Sequence, residues 1–371
     1  MSGLDDGSWM PLAHESPATR LPEDLRARDP LGGRDCGWVE QMRPFTRHFT
    51  DPGDWVLDPF GGFGTTALAA HLEGRCAVIF EIDATRVGMA RERLARHGVG
   101  EGTARVVHGA VNAVPYPADL PPPRLCLTSV PYFGCRWPGA TSNDQLYGSA
   151  DYARHLDGLA DVFHRVRAVL APDAFCIAFA ENLRMGDRML PLAWDLARLL
   201  GSMFVLREER VLVYPRERAP LPPKQWRSNR SHEYALVLQK TRAPADRDRT
   251  VACLQAMAAA ELPFALHGSF ARWWRNPHTV TPADADLLVP WPALEAVCHW
   301  LHARGFRLEC QGRPLHLPLD ADTLRGRWYV RAERIDADGR RVQLDLGYER
   351  ADGPLLRLED VQIVRGMPVS T

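Results

Sequence analysis

Short apolar runs alternate with longer stretches of helical periodicity along the first two thirds of the chain. Strand-like runs fall at 55–58, 76–81, 104–107, 125–129, 174–180, 204–213 and 233–239. Helical patterns cover 38–48, 84–96, 151–170 and 188–200. Strands alternating with helices predict a doubly wound α/β sheet with helices on both faces. No helical pattern separates the last two runs, which predicts a terminal antiparallel hairpin. Residues 1–34 are rich in Pro, Gly, Asp and Arg and predict an irregular lead-in. The polar stretch Thr241–Asp248 reads as a linker, dividing the chain into 1–242 and 243–371. Beyond it, an Ala-rich helix at 250–260, a strand at Phe264–His267, an acidic strand at Asp284–Val289, a helix at Ala293–Arg304 and a strand at Val342–Leu346 predict a smaller α+β unit.

Composition changes this picture little. The 371 residues are 46% hydrophobic and 25% charged, with a net charge of −1. Any nucleic-acid surface must therefore be a local basic region. Lys224 and Lys240 are the only lysines, and arginine supplies the remaining basic side chains. The eight cysteines are scattered without a C-x-x-C pair. They predict reduced thiols in a cytoplasm, not a disulfide framework or zinc site. No apolar run is long enough to span a membrane, and no signal-peptide pattern opens the chain.

The first candidate site is Asp58-Pro59-Phe60-Gly61-Gly62-Phe63-Gly64-Thr65-Thr66, between a predicted strand and the apolar helix 67–72. Glycines there let the backbone pass close to a ligand, and the helix start offers amide N–H groups. Glu81 ends the next strand, where a carboxylate can accept hydrogen bonds from ribose hydroxyls. Asp83 is placed to cap the helix that follows. Loop and acid together fit a nucleoside cofactor.

The second is Thr128-Ser129-Val130-Pro131-Tyr132-Phe133, at the carboxyl end of the run at 125–129. Open α/β sheets bind ligands at that edge. Ser129 and the Val130 carbonyl offer acceptors for an amino group, and Tyr132 or Phe133 an aromatic face for a planar ring. The loop letters resemble the S-adenosylmethionine (SAM) loop of the amino-group DNA methyltransferases, and the second motif resembles their Ser-Pro-Pro-Tyr segment. The resemblance covers roughly residues 35–242. It implies a Rossmann-like SAM methyltransferase sheet, and SAM contacts at Asp58, Phe60, Gly61, Gly62, Gly64, Thr65 and Glu81. It implies catalytic positions at Ser129, Val130, Pro131 and Tyr132, and such a target base must leave its duplex stack or come from a single strand.

The sequence departs from that family where Val130 replaces the first proline and where Ala110 replaces an acid that contacts adenine. The loop precedes the catalytic motif, an order shared with tRNA guanine-N2 methyltransferases. The expected reaction is methyl transfer to a base amino group in DNA, cytosine N4 ahead of adenine N6. Transfer to tRNA or a small nucleobase compound is the alternative. A basic loop at 215–231, with Lys224, Trp226, Arg227 and Arg230, is expected to hold nucleic acid together with Phe133.

In the C-terminal unit, Gly268-Ser269 ends a strand, Asp284 and Asp286 share a strand face, and Asp345 lies on a later strand. Converging carboxylates can hold Mg²⁺ for phosphoryl transfer. These positions resemble the minimal nucleotidyltransferases over roughly 250–350. A third reading therefore makes the chain a nucleotidyl-transferring effector whose first unit only binds SAM or nucleic acid.

Overall fold

A computed structural model describes residues 4, 7–12, 14–135, 138, 145–149, 151–201, 203–215, 231–240, 245–277, 282, 284–311, 313–327, 329–350, 353–354 and 361–370. The chain divides into two compact units, Met1–Thr241 and Arg242–Thr371.

The first unit is built on one eight-stranded sheet in the order β1-β9-β10-β6-β5-β2-β3-β4. Its strands are β1 (Trp9–Pro11), β2 (Trp55–Asp58), β3 (Cys76–Glu81), β4 (Ala104–His108), β5 (Leu125–Ser129), β6 (Phe175–Ala180), β9 (Val205–Val213) and β10 (His232–Gln239). A separate hairpin pairs β7 (Leu183–Met185) with β8 (Arg188–Leu190). Strands β6, β5, β2, β3 and β4 run parallel, and β10 is antiparallel to both β6 and β9. The helices are α1 (Glu23–Arg28), α2 (Val39–Phe49), α3 (Thr65–Leu72), α4 (Ala84–Arg96), α5 (Tyr152–Val169) and α6 (Leu192–Gly201).

Two apolar clusters cover the two faces of this sheet. Alternate residues of one strand go to opposite sides: Val56 joins one cluster and Leu57 the other, as do Ile79 and Phe80. Because both faces are buried, the central strands read as continuous apolar runs. Chain order reverses between β2 and β5, so the carboxyl ends of those two strands flank a switch point where a crevice opens.

Two expectations for this unit need correction. The lead-in is not wholly irregular: β1 adds to the sheet edge parallel to β9, and α1 buries Leu25. The stretch 188–200 is not one helix. Its first residues form the return strand of the β7–β8 hairpin, and α6 begins only after Pro191, whose ring suits a helix start and not its interior.

The second unit is a mixed sheet in the order β14-β13-β15-β16-β12-β11-β20-β19. Its strands are β11 (Ala265–His267), β12 (Ala285–Leu288), β13 (Arg307–Cys310), β14 (Arg313–Pro314), β15 (Tyr329–Ile335), β16 (Arg341–Gly347), β19 (Val361–Val364) and β20 (Met367–Ser370). A small pair, β17 (Glu349–Arg350) and β18 (Gly353–Pro354), stands apart from that sheet. Helices α7 (Arg247–Ala259), α8 (Gly268–Arg275), α9 (Leu294–His302) and α10 (Ala321–Leu324) complete the unit. Its own core gathers Leu254, Phe270, Val297, Phe306 and Leu344. Among the described residues no helix is long and apolar enough to cross a membrane.

Candidate active site

The loop after β2 takes its shape from buried hydrogen bonds. Asp58 is 4% exposed. It accepts from Thr66 Oγ1 at 2.7 Å, Thr128 Oγ1 at 2.6 Å and the Phe60 N–H at 3.0 Å. One carboxylate thus joins the end of β2, the start of α3 and strand β5. Burial pushes its pKa up, and the three donors work against that rise.

The glycines are required for different reasons. A Cβ on Gly61 would stand 2.9 Å from the Ile79 Cβ, because the loop lies against β3 and Gly61 N donates to Phe80 O. Gly64 caps α3 with φ +76°. Gly62 has φ +49°, and the nearest atom to its Cβ position is Phe60 O at 3.9 Å. Close packing therefore excludes a side chain at Gly61, whereas Gly62 borders open space.

Glu81 reaches back from β3 to this loop. Its Oε2 accepts from the Gly62 N–H at 2.7 Å and its Oε1 from the Asp83 N–H at 2.8 Å. Burial pushes its pKa up to about 7, against the pull of those two amides and of Arg86. Asp83 caps α4 by accepting from Arg86 N.

A cavity of about 470 Å³ opens above this loop. Asp58, Phe60, Gly61, Gly62, Thr65 and Glu81 all line it. So do Ser129, Val130, Pro131 and Tyr132 from the end of β5. Two motifs far apart in sequence thus share one cavity. Ala110 stands in its wall as well. Phe133 is not among the lining residues: its ring packs edge-on against Tyr152 and His155 of α5, with centroids 5.5 and 5.6 Å away. Lys224, Trp226, Arg227 and Arg230 lie outside the described residues.

The end of the lead-in and the residue after it supply a wall that their composition did not announce: Leu31, Arg34 and Asp35 line the cavity. Asp35 pairs with Arg86 at 2.7 and 2.8 Å, and Tyr147 donates to Asp35 at 2.9 Å. Burial opposes ionisation of Asp35, but its bonds to Arg86 prevail and hold its pKa below the usual range. The Arg86 guanidinium lies over the Phe63 ring, 4.6 Å from its centroid.

Sequence reasoning also missed a buried polar cluster beside Tyr132. Glu233 on β10 accepts from Tyr132 OH at 2.7 Å, Tyr214 OH at 2.7 Å and Gln41 Nε2 at 2.7 Å. Trp38 meets Tyr214 edge-on, with centroids 5.1 Å apart. Glu181 also lines the cavity. A signal was present: Glu233 shares a strand face with Ala235 and Val237, both in the core, so a charge sits at an inward position.

The second unit brings its acidic residues together. Asp286 and Asp345 are register partners on the parallel strands β12 and β16. A Cβ on Gly268 would collide with Asp286 Oδ2. Ser269 follows Gly268 in the first turn of α8. The expected magnesium site at Asp284, Asp286 and Asp345 finds no support: Arg331 donates to both oxygens of Asp345, at 2.8 and 2.9 Å. Gln343 Nε2 reaches Asp284 Oδ2 and Asp345 Oδ2, each at 3.3 Å. No His, Cys, Asp and Glu group fit for a metal occurs among the described residues.

Residues 39–92 match the family model described as DNA methylase, of the N6/N4 methyltransferases. That stretch runs from α2 through the glycine loop and Glu81 into α4. Over 55 residues the chain is 44% identical to the type II methyltransferase M.XycI of Xanthomonas campestris pv. cyanopsidis. The aligned part is 15% of this chain and 18% of that protein, so the chain spans less than a fifth of this relative's length. Among solved structures, TrmN from Thermus thermophilus aligns with a TM-score of 0.40 and 21% identity, over 61% of this chain and 54% of that one. An rRNA methylase from Streptococcus thermophilus aligns with a TM-score of 0.36 and 14% identity, over 55% of this chain and 97% of that one.

Proposed function

We propose that the first unit is a SAM-dependent methyltransferase acting on an exocyclic amino group of a DNA base, cytosine N4 in preference to adenine N6. The observation that carries this reading is the single cavity shared by the 58–66 loop, Glu81 and Ser129–Tyr132. The DNA methylase match over 39–92 supports the cofactor half of it.

The residues present fit a nucleoside. Glu81 stands at the cavity wall, and each of its oxygens keeps a lone pair beyond the amide it already accepts from. The cavity volume suits a cofactor of this size. When bound, SAM supplies a methyl carbon whose bonding pair to sulfur stays with sulfur as the base nitrogen takes its place. All else falls to the chain. Ser129 and the Val130 carbonyl accept the amino N–H groups and orient the nitrogen lone pair, and the nitrogen's proton leaves to solvent. The Tyr132 ring provides a face for the base. Acceleration comes from alignment and from acceptors placed where positive charge develops on the nitrogen. The reaction needs no covalent adduct with the base and no cysteine nucleophile. The 215–231 loop, with Lys224, Trp226, Arg227 and Arg230, is the proposed backbone contact.

Labelled SAM offered with duplex DNA, tRNA and free nucleosides tests this reading. Label on DNA cytosine N4 is the expected result. Label on tRNA or nucleosides alone would move the substrate to the alternative, and no label on any of them would refute the activity.

We infer further that the second unit has a nucleotidyltransferase-like fold, supported by Gly268 against Asp286 and by Asp286 beside Asp345 on neighbouring strands. Its proposed role here is that of an accessory domain.

A further inference from the structure

We infer that Glu233 is a positioning residue that fixes the Tyr132 ring in the cavity wall. This inference rests on the proposed methyltransferase reading. Glu233 is 5% exposed and comes from β10, whereas Tyr132 follows β5, Tyr214 follows β9 and Gln41 belongs to α2. Four separate segments therefore meet at one carboxylate.

The geometry defines what each partner is left to do. The Tyr132 hydroxyl donates inward to Glu233 Oε1, and burial together with that carboxylate pushes the phenol far above its ordinary range. Its hydroxyl is thus committed to the protein, and proton transfer to substrate is not its task. What Tyr132 offers the cavity is its ring. A ring free to rotate about χ1 and χ2 would have to be ordered whenever a base arrived, at an entropic cost. The bond to Glu233 orders it beforehand.

The other two donors keep Glu233 itself in place. Tyr214 and Gln41 share Oε2, and Trp38 braces the Tyr214 ring. Trp38, Gln41, Tyr214 and Glu233 all line the same cavity as Tyr132. The cluster is therefore part of the site wall, and not a remote core feature.

The test uses the full chain and the variants Glu233→Gln, Glu233→Ala, Tyr132→Phe and the double variant Glu233→Gln/Tyr132→Phe. Near-UV circular dichroism gives a readout independent of activity. The difference between wild type and Tyr132→Phe reports a fixed Tyr132 ring, and it should shrink strongly when both are compared in the Glu233→Gln background. An unchanged difference band would overturn the inference. In turnover, Glu233→Gln should lower kcat about tenfold, a loss on the scale of one hydrogen bond. SAM affinity should stay within about twofold. With Tyr132→Phe already present, the further loss on Glu233→Gln should be much smaller. Full additivity, or a parallel loss of SAM affinity, would overturn the inference. If Glu233→Ala fails to fold, Glu233→Gln carries the test alone. A wild type that methylates no base refutes the methyltransferase reading, and the dichroism arm then decides the Glu233 inference by itself.

Discussion

Cofactor affinity should rise with pH through neutrality, and Glu81 should be the cause. Its pKa is about 7, against an ordinary 4.5, because burial disfavours the ionised form. An ionised carboxylate accepts from both ribose hydroxyls, whereas a protonated one must place a hydrogen of its own. If only the ionised form makes that contact, affinity scales with the ionised fraction, about 0.9 at pH 8 and about 0.1 at pH 6. SAM should therefore bind about tenfold more weakly at pH 6 than at pH 8. The α-amino group of SAM titrates near the same range, so the informative quantity is the difference between wild type and Glu81→Gln in calorimetric titrations at each pH. Glu81→Gln should bind more weakly at pH 8 and lack the Glu81 share of the slope. Without cofactor the dependence has the opposite sign. The folded chain holds the proton up to about pH 7 and the unfolded chain only to about 4.5, so stability falls as pH rises through that window, by up to about 3 kcal/mol. Identical pH slopes in wild type and Glu81→Gln would refute the reasoning.

Gly61→Ala should destabilise the fold by about 1–3 kcal/mol in urea titrations, because its Cβ would collide with Ile79. Gly62→Asn, which tolerates a positive φ, should cost under about 1 kcal/mol yet weaken SAM binding, because its side chain enters the cavity. Tyr132→Ala should lose about 1–3 kcal/mol of base stacking, seen as a fall in kcat/KM of about 5- to 150-fold with SAM affinity retained. Binding of a DNA duplex should weaken as salt rises, and Arg227→Ala with Arg230→Ala should flatten the slope of log affinity against log salt by about 2; an unchanged slope would place the phosphate contacts elsewhere.

The parts of the fold legible in the sequence are those set by local rules. Central strands buried on both faces leave unbroken apolar runs, so β2, β3, β5 and β6 fall within a residue or so of the runs that predict them. Gly64 in a left-handed conformation at the start of α3 is local chemistry of the same kind. The lead-in defeats that approach. Strand β1 holds only Trp9–Pro11 and exists because β9 offers it an edge, a long-range event with no signature in three residues. The hairpin Leu183–Leu190 shares apolar letters with the helix beyond it, so periodicity alone runs the two together.

The site divides along the same line. The loop and the Ser129–Tyr132 segment each carry their chemistry in consecutive letters, whereas Glu233, Tyr214 and Gln41 acquire theirs only by meeting Tyr132. The second unit shows how the same distinction can mislead. Asp284, Asp286 and Asp345 read as metal ligands because carboxylates spaced along strands converge, and Asp286 and Asp345 do lie side by side. Yet Arg331 on β15 is the cross-strand partner of Asp345, a pairing invisible until β15 and β16 are set in register. Its two bonds neutralise Asp345 by the fork geometry that makes arginine a strong carboxylate partner. A cation would have to displace that guanidinium and accept Gln343 as a neighbour.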